Sequence, residues 1–490
     1  MTREATTMIG VEAPPKADVG RLASNAMSLP HLVFTVLAAL APLTLIVAVT
    51  PLHFMVGGAA VPGGFIFAGI IMGLFSFGFS AMTRHVRNAG AFYAVITRGL
   101  GRLPGGGAAM LAMVAYNSLQ ISTYGAFAVY AAELTERLSG LSLPWWVFAA
   151  ISLVAVGYLG YRGIETSSRI LMIVLIAEIA VLLVLCVSVI ANGGAEGPRL
   201  DILSPTYLIR PELGGMLCLV VGAFMGFEST AIFSEEAEGG SATVRRATFI
   251  SVGFIAIFYA GVTFIITMAY GADNIQALAK ADPVNLVVNL FGTYTSPIVV
   301  DIMSILLLFS AFAALLALHN VCNRYFYVMG REGLLPSSLA RTSSRHRSPT
   351  VAGTVQSVLA AVVLLLVVGL GVDPYLGLLL WGTALGLIGI ITLWTVCSLA
   401  ISVFLAKAAG RHSVFETYVA PILAFFGLAA VLAVVLSDLS LLTSETGLVN
   451  WLIVLSALVA VGAGVLSAAR LRQVDRAAYE RMGVNSEEAA

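Results

Sequence analysis

Apolar runs of about 20 residues recur along the whole chain, and they limit its fold more than any other feature. A helix of about 20 apolar residues is long enough to cross the hydrocarbon core of a bilayer. Only 11% of the 490 residues are charged and 59% are hydrophobic, whereas soluble domains carry about 25% charged residues. Lipid cannot satisfy free backbone N–H and C=O groups, so the runs are predicted to be helices. The sequence therefore indicates an all-α multi-pass membrane protein.

We count twelve spans, and an even number places both termini on the same side of the membrane. Residues 1–29 and 471–490 are predicted to be polar tails. The approximate bounds of the spans are 31–55, 62–82, 104–132, 144–161, 170–192, 212–234, 248–271, 297–322, 350–371, 375–404, 416–436 and 449–469.

Arginine and lysine are distributed very unevenly between the two sides of this predicted topology. With the N-terminus inside, the inner segments hold 22 of the 26 basic residues and the outer segments hold 4. Cytoplasmic loops are enriched in these residues, so both termini are expected in the cytoplasm and the protein in the cell membrane. The formal net charge of +0 offers no overall field that would favour nucleic acid.

Two of the spans contain residues that interrupt a helix. Pro42 lies inside span 1, where it removes a backbone donor and clashes with the preceding turn. Span 6 contains Gly226 and Glu228 within Gly-Phe-Glu-Ser-Thr, and a charge at the bilayer centre costs roughly 2.5–3.5 kcal/mol. Such groups must face protein or a wet cavity. A simple proline kink and an inert structural glutamate remain the alternatives.

The two interruptions lie five spans apart, which predicts an inverted repeat. Interrupted spans at corresponding positions of two halves are the sequence sign of a transporter with broken helices at its binding site. Residues 30–210 (spans 1–5) and 211–405 (spans 6–10) are the predicted repeats, and residues 406–470 hold spans 11 and 12. Because five is odd, the second repeat enters the membrane from the opposite side.

Three segments carry a family resemblance: GAFYAVITRGLGR (Gly90–Arg102), GFESTAIFSEEAE (Gly226–Glu238) and ALHNVCNRYFYVMGREGLLP (Ala317–Pro336). With them the chain resembles the amino acid–polyamine–organocation (APC) transporter superfamily over nearly its whole length. The resemblance implies a fold of the leucine-transporter type, with five-plus-five inverted repeats among twelve transmembrane helices and with helices 1 and 6 broken.

The resemblance also implies a substrate site at the two breaks, where free amides suit a carboxylate and free carbonyls suit an ammonium. Many family members have a glycine-rich first break, whereas this chain reads Ala-Leu-Ala-Pro-Leu-Thr. An amine without a carboxylate therefore stays an alternative substrate, for which Glu228 is suited. The candidate substrate-binding residues of the breaks are Ala39, Leu40, Ala41, Thr44, Gly226, Phe227, Glu228, Ser229 and Thr230.

Further candidates come from spans 3 and 10. Tyr116 and Gln120 are four residues apart in span 3, so they share a helix face and are predicted to line the cavity. Hydrogen bonding between helices is the alternative role. Trp381 of span 10 is a candidate gate or, alternatively, an ordinary packing residue.

Span 5 contains Glu178 within an otherwise apolar stretch. Burial brings a carboxyl group toward the range in which it exchanges protons. Glu178 is therefore the predicted proton-coupling residue, with Ser310 of span 8 beside it. A permanently protonated structural glutamate and a sodium ligand are the alternatives.

The sequence lacks the motifs of other classes of protein. It has no HExxH, no Gly-x-Ser-x-Gly and no Cys/His cluster for an enzyme, and no GxxxxGK[ST] for nucleotide-driven transport. We interpret the chain as a secondary active transporter of an amino acid, working by alternating access with proton-coupled uptake and without cofactor or metal. The alternatives are an importer of a polyamine or other organic amine, sodium coupling, or an amino acid/amine exchanger. Its expected partners are the substrate, the coupling ion and the lipid bilayer.

Overall fold

The computed structural model describes residues 27–82, 85, 92–162, 168–204, 213–228, 230, 237–238, 240–342, 348–408 and 412–483. Within these ranges all regular elements are helices. An isolated parallel bridge joins Met27 to Ala237, next to the start of the first helix.

The described residues form α-helices of very different lengths. They are α1 (Leu29–Ala39), α2 (Pro42–Thr44), α3 (Thr50–Gly57), α4 (Val61–Met82), α5 (Phe92–Leu100), α6 (Arg102–Ser139), α7 (Trp145–Arg162), α8 (Ser168–Asn192), α9 (Gly214–Gly222), α10 (Ser241–Tyr270), α11 (Ile275–Ala281), α12 (Leu286–Tyr294), α13 (Pro297–Arg331), α14 (Thr350–Gly369), α15 (Leu380–Lys407), α16 (Ala420–Ser437), α17 (Ser440–Thr443), α18 (Leu448–Val474) and α19 (Arg476–Arg481). Three π-helical turns, Leu45–Val49, Pro374–Leu379 and Phe415–Val419, lead into α3, α15 and α16.

Nine helical stretches of the described residues are long and apolar enough to cross a membrane. This count is lower than the twelve spans that the sequence predicts. Leu29–Met82 forms one stretch that contains two predicted spans. The polar residues and glycines of α6 lower its apolarity, and α9 is only 9 residues long. The described part of the chain thus has the all-helical build of a membrane protein with several spans.

The first predicted span is broken next to Pro42. Helix α1 ends at Ala39, and Ala41 adopts a left-handed conformation with φ of 46°. The proline ring disfavours the right-handed helical conformation at the residue before it. A non-glycine residue in this region costs roughly 1–2 kcal/mol, so the surrounding packing must hold Ala41 in place. The chain then runs through α2, the π turn Leu45–Val49 and α3.

The sixth predicted span is interrupted after α9. Residues 223–228 form turns, and Gly226 has a φ of 110°, which glycine adopts without steric cost. A Cβ atom on Gly226 would lie 3.2 Å from a methyl carbon of Leu40. The two breaks therefore lie against each other.

Helix α6 lies in the middle of the fold and packs against α13, α15 and α18. Its contact with α18 depends on two glycines. A Cβ atom on Gly464 would overlap the carbonyl oxygen of Gly106, and one on Gly106 would overlap the backbone of Gly464. Small residues let membrane helices approach closely, so this pair sets the distance between α6 and α18.

We expect Gly464→Ala to lower the free energy of unfolding by about 1–3 kcal/mol, because the added methyl group forces α6 and α18 apart. Gly462→Ala is the matched control, since a Cβ there meets no atom within 4 Å and alanine favours a helix. Thermal unfolding of the two variants in detergent measures the difference. Equal melting temperatures would contradict the prediction.

Candidate functional site

Glu228 is buried at the second break and binds two hydrogen-bond donors. Its Oε1 atom accepts a hydrogen bond from the Tyr116 hydroxyl at 2.9 Å. Its Oε2 atom accepts one from the Gly226 amide at 2.8 Å. Only 4% of the residue is exposed. The carboxyl group thus closes the turn that contains it and ties that turn to α6.

Tyr325 of α13 extends this arrangement. Its ring stacks on that of Tyr116, with centroids 5.4 Å apart and planes 29° apart. Its hydroxyl is buried without a hydrogen-bond partner among the described residues, and it lies close enough to interact electrostatically with Glu228. Two tyrosines from different helices therefore flank the carboxyl group.

Glu178 of α8 occupies the first break. Its Oε2 atom accepts a hydrogen bond from the Leu43 amide at 3.1 Å. Ser310 of α13 and Tyr259 of α10 lie close enough to interact with the same carboxyl group. Glu178 is 3% exposed. The structure thus brings the two predicted coupling residues together, next to the break in span 1.

The two threonines among the candidate residues differ in their contacts. The Oγ1 atom of Thr44, in the first turn after the break, is buried and has no hydrogen-bond partner in the described part of the chain. The Thr230 hydroxyl donates to the Phe227 carbonyl and lies 2.8 Å from the Thr248 hydroxyl. Thr44 therefore keeps bonding capacity at the break, whereas Thr230 is bound to its neighbours.

Three other predicted residues point elsewhere. Phe227 packs against Phe75, Phe79 and Trp394, with ring centroids about 6 Å apart. Gln120 binds the Nδ1 atom of His319 at 3.3 Å, and it also accepts from Gln356. Trp381 is partly buried, and its Nε1 atom has no hydrogen-bond partner among the residues described. No contact with Glu228 is described for these three side chains.

The remaining candidates contribute backbone or lie outside the description. Leu40 and Ala41 form the first break itself. Ala39 is the last residue of α1, and its side chain is not described. Ser229 lies outside the described residues. Among the residues that are described, no three His, Cys, Asp or Glu side chains come together as metal ligands.

Two tyrosines that the sequence analysis missed hold the chain beyond the first break. The Tyr130 hydroxyl contacts the carbonyls of Val47 and Val284 at 3.0 and 3.1 Å. The Tyr375 hydroxyl donates to the Ala48 carbonyl at 2.7 Å. Pro51 stands four residues after Val47 and has no N–H to donate. That missing donor was the available signal that a side chain must supply one.

Two of the segments that carry the family resemblance contact each other through Tyr93 and Glu332. The Tyr93 hydroxyl of α5 donates to an oxygen of Glu332, just beyond α13, at 2.6 Å. Burial raises the pKa of Glu332, and the hydrogen bond from Tyr93 opposes that rise. The contact fastens the segment between spans 2 and 3 to the end of span 8.

An apolar helical bundle with buried carboxyl groups at interrupted helices has the form of a membrane transport protein. A family model described as "Amino acid permease" matches residues 27–472. The chain therefore belongs to the amino acid permease family, which confirms the resemblance to the APC superfamily.

Named relatives are similar to the chain over shorter stretches. The L-lysine transport protein of Corynebacterium glutamicum is 26% identical over 309 residues, 59% of this chain and 59% of that protein. The branched-chain amino acid permease BcaP of Bacillus subtilis is 25% identical over 225 residues, 44% of this chain and 45% of the relative. The matches thus cover less than two thirds of each relative. The relatives are transporters, which confirms the expectation of a protein that is not an enzyme.

We expect Tyr116→Phe to lower the free energy of unfolding by about 1.5–3 kcal/mol, because a buried carboxyl group loses a strong hydrogen bond. Tyr325→Phe is the control, since the hydroxyl that it removes has no hydrogen-bond partner in the described structure. Thermal unfolding of the purified variants compares them. A Tyr325→Phe variant as unstable as Tyr116→Phe would show that the Glu228 contact is not the cause.

Proposed function

We propose that the chain is a secondary active transporter that moves an amino acid across the cell membrane by alternating access, with proton-coupled uptake. The observation that carries the proposal is the meeting of the two breaks at Leu40 and Gly226, each break with a buried carboxyl group on an amide. Family membership and two relatives named for amino acid transport support it.

Glu228 is the proposed contact for the substrate ammonium group. A buried carboxylate is costly without a cationic partner. The hydrogen-bond donors described for it, the Tyr116 hydroxyl and the amides of Gly226 and of Glu228 itself, are all neutral. An ammonium group at this position would supply the missing positive charge, and the stacked Tyr116 and Tyr325 rings would enclose it.

The proposal includes the twelve-helix, five-plus-five architecture with both termini in the cytoplasm. In that arrangement the short connections at Leu40–Ala41 and residues 223–228 act as hinges between half-helices. Hinges are a few residues that absorb backbone rotation while packed elements move as bodies. The contacts of Tyr130 and Tyr375 with the π turn would then be made when the outer side closes.

Glu178 is the proposed proton site, with Ser310 beside it. The carboxyl group reaches the first break directly through the Leu43 amide, so a change in its charge would act on the hinge. Oxygen ligands also suit sodium, so sodium is the alternative coupling ion.

An organic amine without a carboxylate is the second candidate substrate. One observation favours it: the Leu43 amide, which a substrate carboxylate would use, is already bound to Glu178. Glu228 alone would then provide the main recognition. This reading keeps the same transport mechanism and changes only the class of substrate.

Uptake into proteoliposomes decides between these readings. Labelled L-lysine, L-leucine, L-isoleucine and L-valine are offered beside putrescine, with an inward proton gradient, with and without sodium. Accumulation of an amino acid that stops when a protonophore collapses the gradient supports the proposal. Uptake of putrescine alone supports the amine importer, and a requirement for sodium overturns proton coupling.

We expect Glu228→Gln to reduce uptake at least about tenfold, because the substrate ammonium loses a charge-assisted hydrogen bond of about 1.5–3 kcal/mol. Glu445→Gln, at an exposed position outside the site, is the matched control and should transport normally. Initial uptake rates at equal amounts of reconstituted protein measure the effect. Normal transport by both Glu228→Gln and Glu228→Ala would remove Glu228 from the site.

A further inference from the structure

We propose that Glu178 is a resident carboxylate which holds the Leu43 amide, and which the carboxylate of the substrate replaces once Glu178 has bound a proton. The inference rests on the proposed amino acid transport. In the coupling step the Leu43 amide changes its acceptor, and only substrates with a carboxylate are coupled to protons.

The backbone amide of Leu43 is the donor for which Glu178 and the substrate carboxylate would compete at the first break. Two nearby amides are already bound: the Ala41 amide donates to the Ala38 carbonyl at 3.1 Å and the Leu45 amide to the Ala41 carbonyl at 3.0 Å. Pro42 has no N–H. Leu43 lies in the first turn of a helical run that continues from Pro42 to Gly57, so its N–H points out of that run. In the structure Glu178 accepts it.

The charge of Glu178 decides how firmly it holds this amide. An ionised carboxylate forms hydrogen bonds roughly twice as strong as those of a neutral acceptor. Of the elements that pack against α8, helix α10 contributes Tyr259 as the titratable group facing Glu178. Helices α1, α2, α12 and α13 contribute no described acidic or basic contact to it. A proton is therefore the available means of neutralising Glu178. Protonation weakens the hydrogen bond between Glu178 and the Leu43 amide.

Other polar atoms around the break would receive an incoming carboxylate. The hydroxyls of Thr44 and Ser310 are buried; that of Thr44 has no hydrogen-bond partner in the described structure, and that of Ser310 interacts with the Glu178 carboxyl group itself. Thr44 directly follows Leu43, and Ser310 lies beside Glu178. These donors lie at the first break, and Glu228 lies at the second. A Cβ atom on Gly226 would lie 3.2 Å from a methyl carbon of Leu40, so the two breaks adjoin, and the proposed zwitterion would have one end at each.

The exchange couples one proton to each substrate carboxylate. When Glu178 is protonated, its carboxyl group releases the amide and the substrate carboxylate accepts it. When the proton leaves toward the cytoplasm, ionised Glu178 takes the amide back and the substrate carboxylate is displaced. No covalent bond other than the O–H bond of Glu178 forms or breaks. A substrate without a carboxylate does not need the exchange, so its binding is not linked to this proton.

The test compares each amino acid with the amine that its decarboxylation would give. Equilibrium binding of labelled L-lysine and cadaverine, and of L-leucine and isoamylamine, is measured from pH 5 to pH 8. The full-length purified protein is used as wild type, as Glu178→Gln and as the control Glu445→Gln. Neither the ammonium nor the carboxylate of these probes titrates in this range, and a titration of Glu228 would affect both members of a pair.

In wild type and in Glu445→Gln we expect the dissociation constant of the amino acid to rise with pH, by up to tenfold per unit, while that of the amine changes less than twofold. In Glu178→Gln the pH dependence for the amino acid should disappear. Its binding at pH 8 should be at least tenfold tighter than in wild type, because the neutral amide side chain competes weakly for Leu43.

Several outcomes would overturn the inference. They are an unchanged pH dependence in Glu178→Gln, an equal pH dependence for amino acid and amine in wild type, and a folded Glu178→Gln protein that binds neither. The wild-type comparison needs no variant, so it decides the matter even if Glu178→Gln fails to fold. If wild type binds cadaverine or isoamylamine but neither amino acid at any pH, the proposed amino acid transport fails and the exchange fails with it.

Discussion

Two backbone amides that are bound by carboxyl groups support the whole arrangement. A helix that is interrupted inside a membrane frees polar groups that lipid cannot satisfy. In this protein Glu178 accepts the Leu43 amide and Glu228 accepts the Gly226 amide. Each interruption is thus stabilised by an acid that carries its own desolvation cost. The stabilising group and the group able to bind a cation or a proton are the same atoms.

Helix α6 relates these breaks to the rest of the molecule. At one level Tyr116 donates to Glu228, and one turn later Gln120 bonds to His319 of α13. Farther along the same helix Tyr130 contacts the carbonyl of Val47. At its other end the close approach of Gly106 to Gly464 fixes α18 against it. Helix α6 is thus fastened at several levels, and in the proposed mechanism it is the frame against which the half-helices move.

The first break of this chain departs from the pattern that is usual in the family to which it belongs. The chain lacks the glycine-rich run that leaves backbone donors accessible, and it has Pro42 instead. The structure shows an acid from another helix at the donor that follows. If the substrate carboxylate replaces Glu178 at this amide, the departure from the family pattern is what couples transport to protons. If it does not, the alternative proposal, an amine bound by Glu228, is favoured.

The sequence by itself determined the helices and the positions at which two of them are interrupted. Apolar length specified helices, because lipid leaves the backbone no other partner. Pro42 and Gly226 located the two breaks, because one lacks an N–H and the other tolerates a positive φ. The sequence also predicted that the two breaks lie at one site. The twelve-span topology and the substrate contacts stay predictions.

Only the tertiary structure decided which side chain meets which group. Helical period put Tyr116 and Gln120 on one face, but α6 is surrounded by different neighbours at successive turns, so the first binds Glu228 and the second His319. Phe227 adjoins Glu228 in sequence and yet packs with Phe75 and Trp394. Glu178 and Leu43 are 135 positions apart. No local pattern relates residues so distant in sequence, because their contact arises only when helices pack.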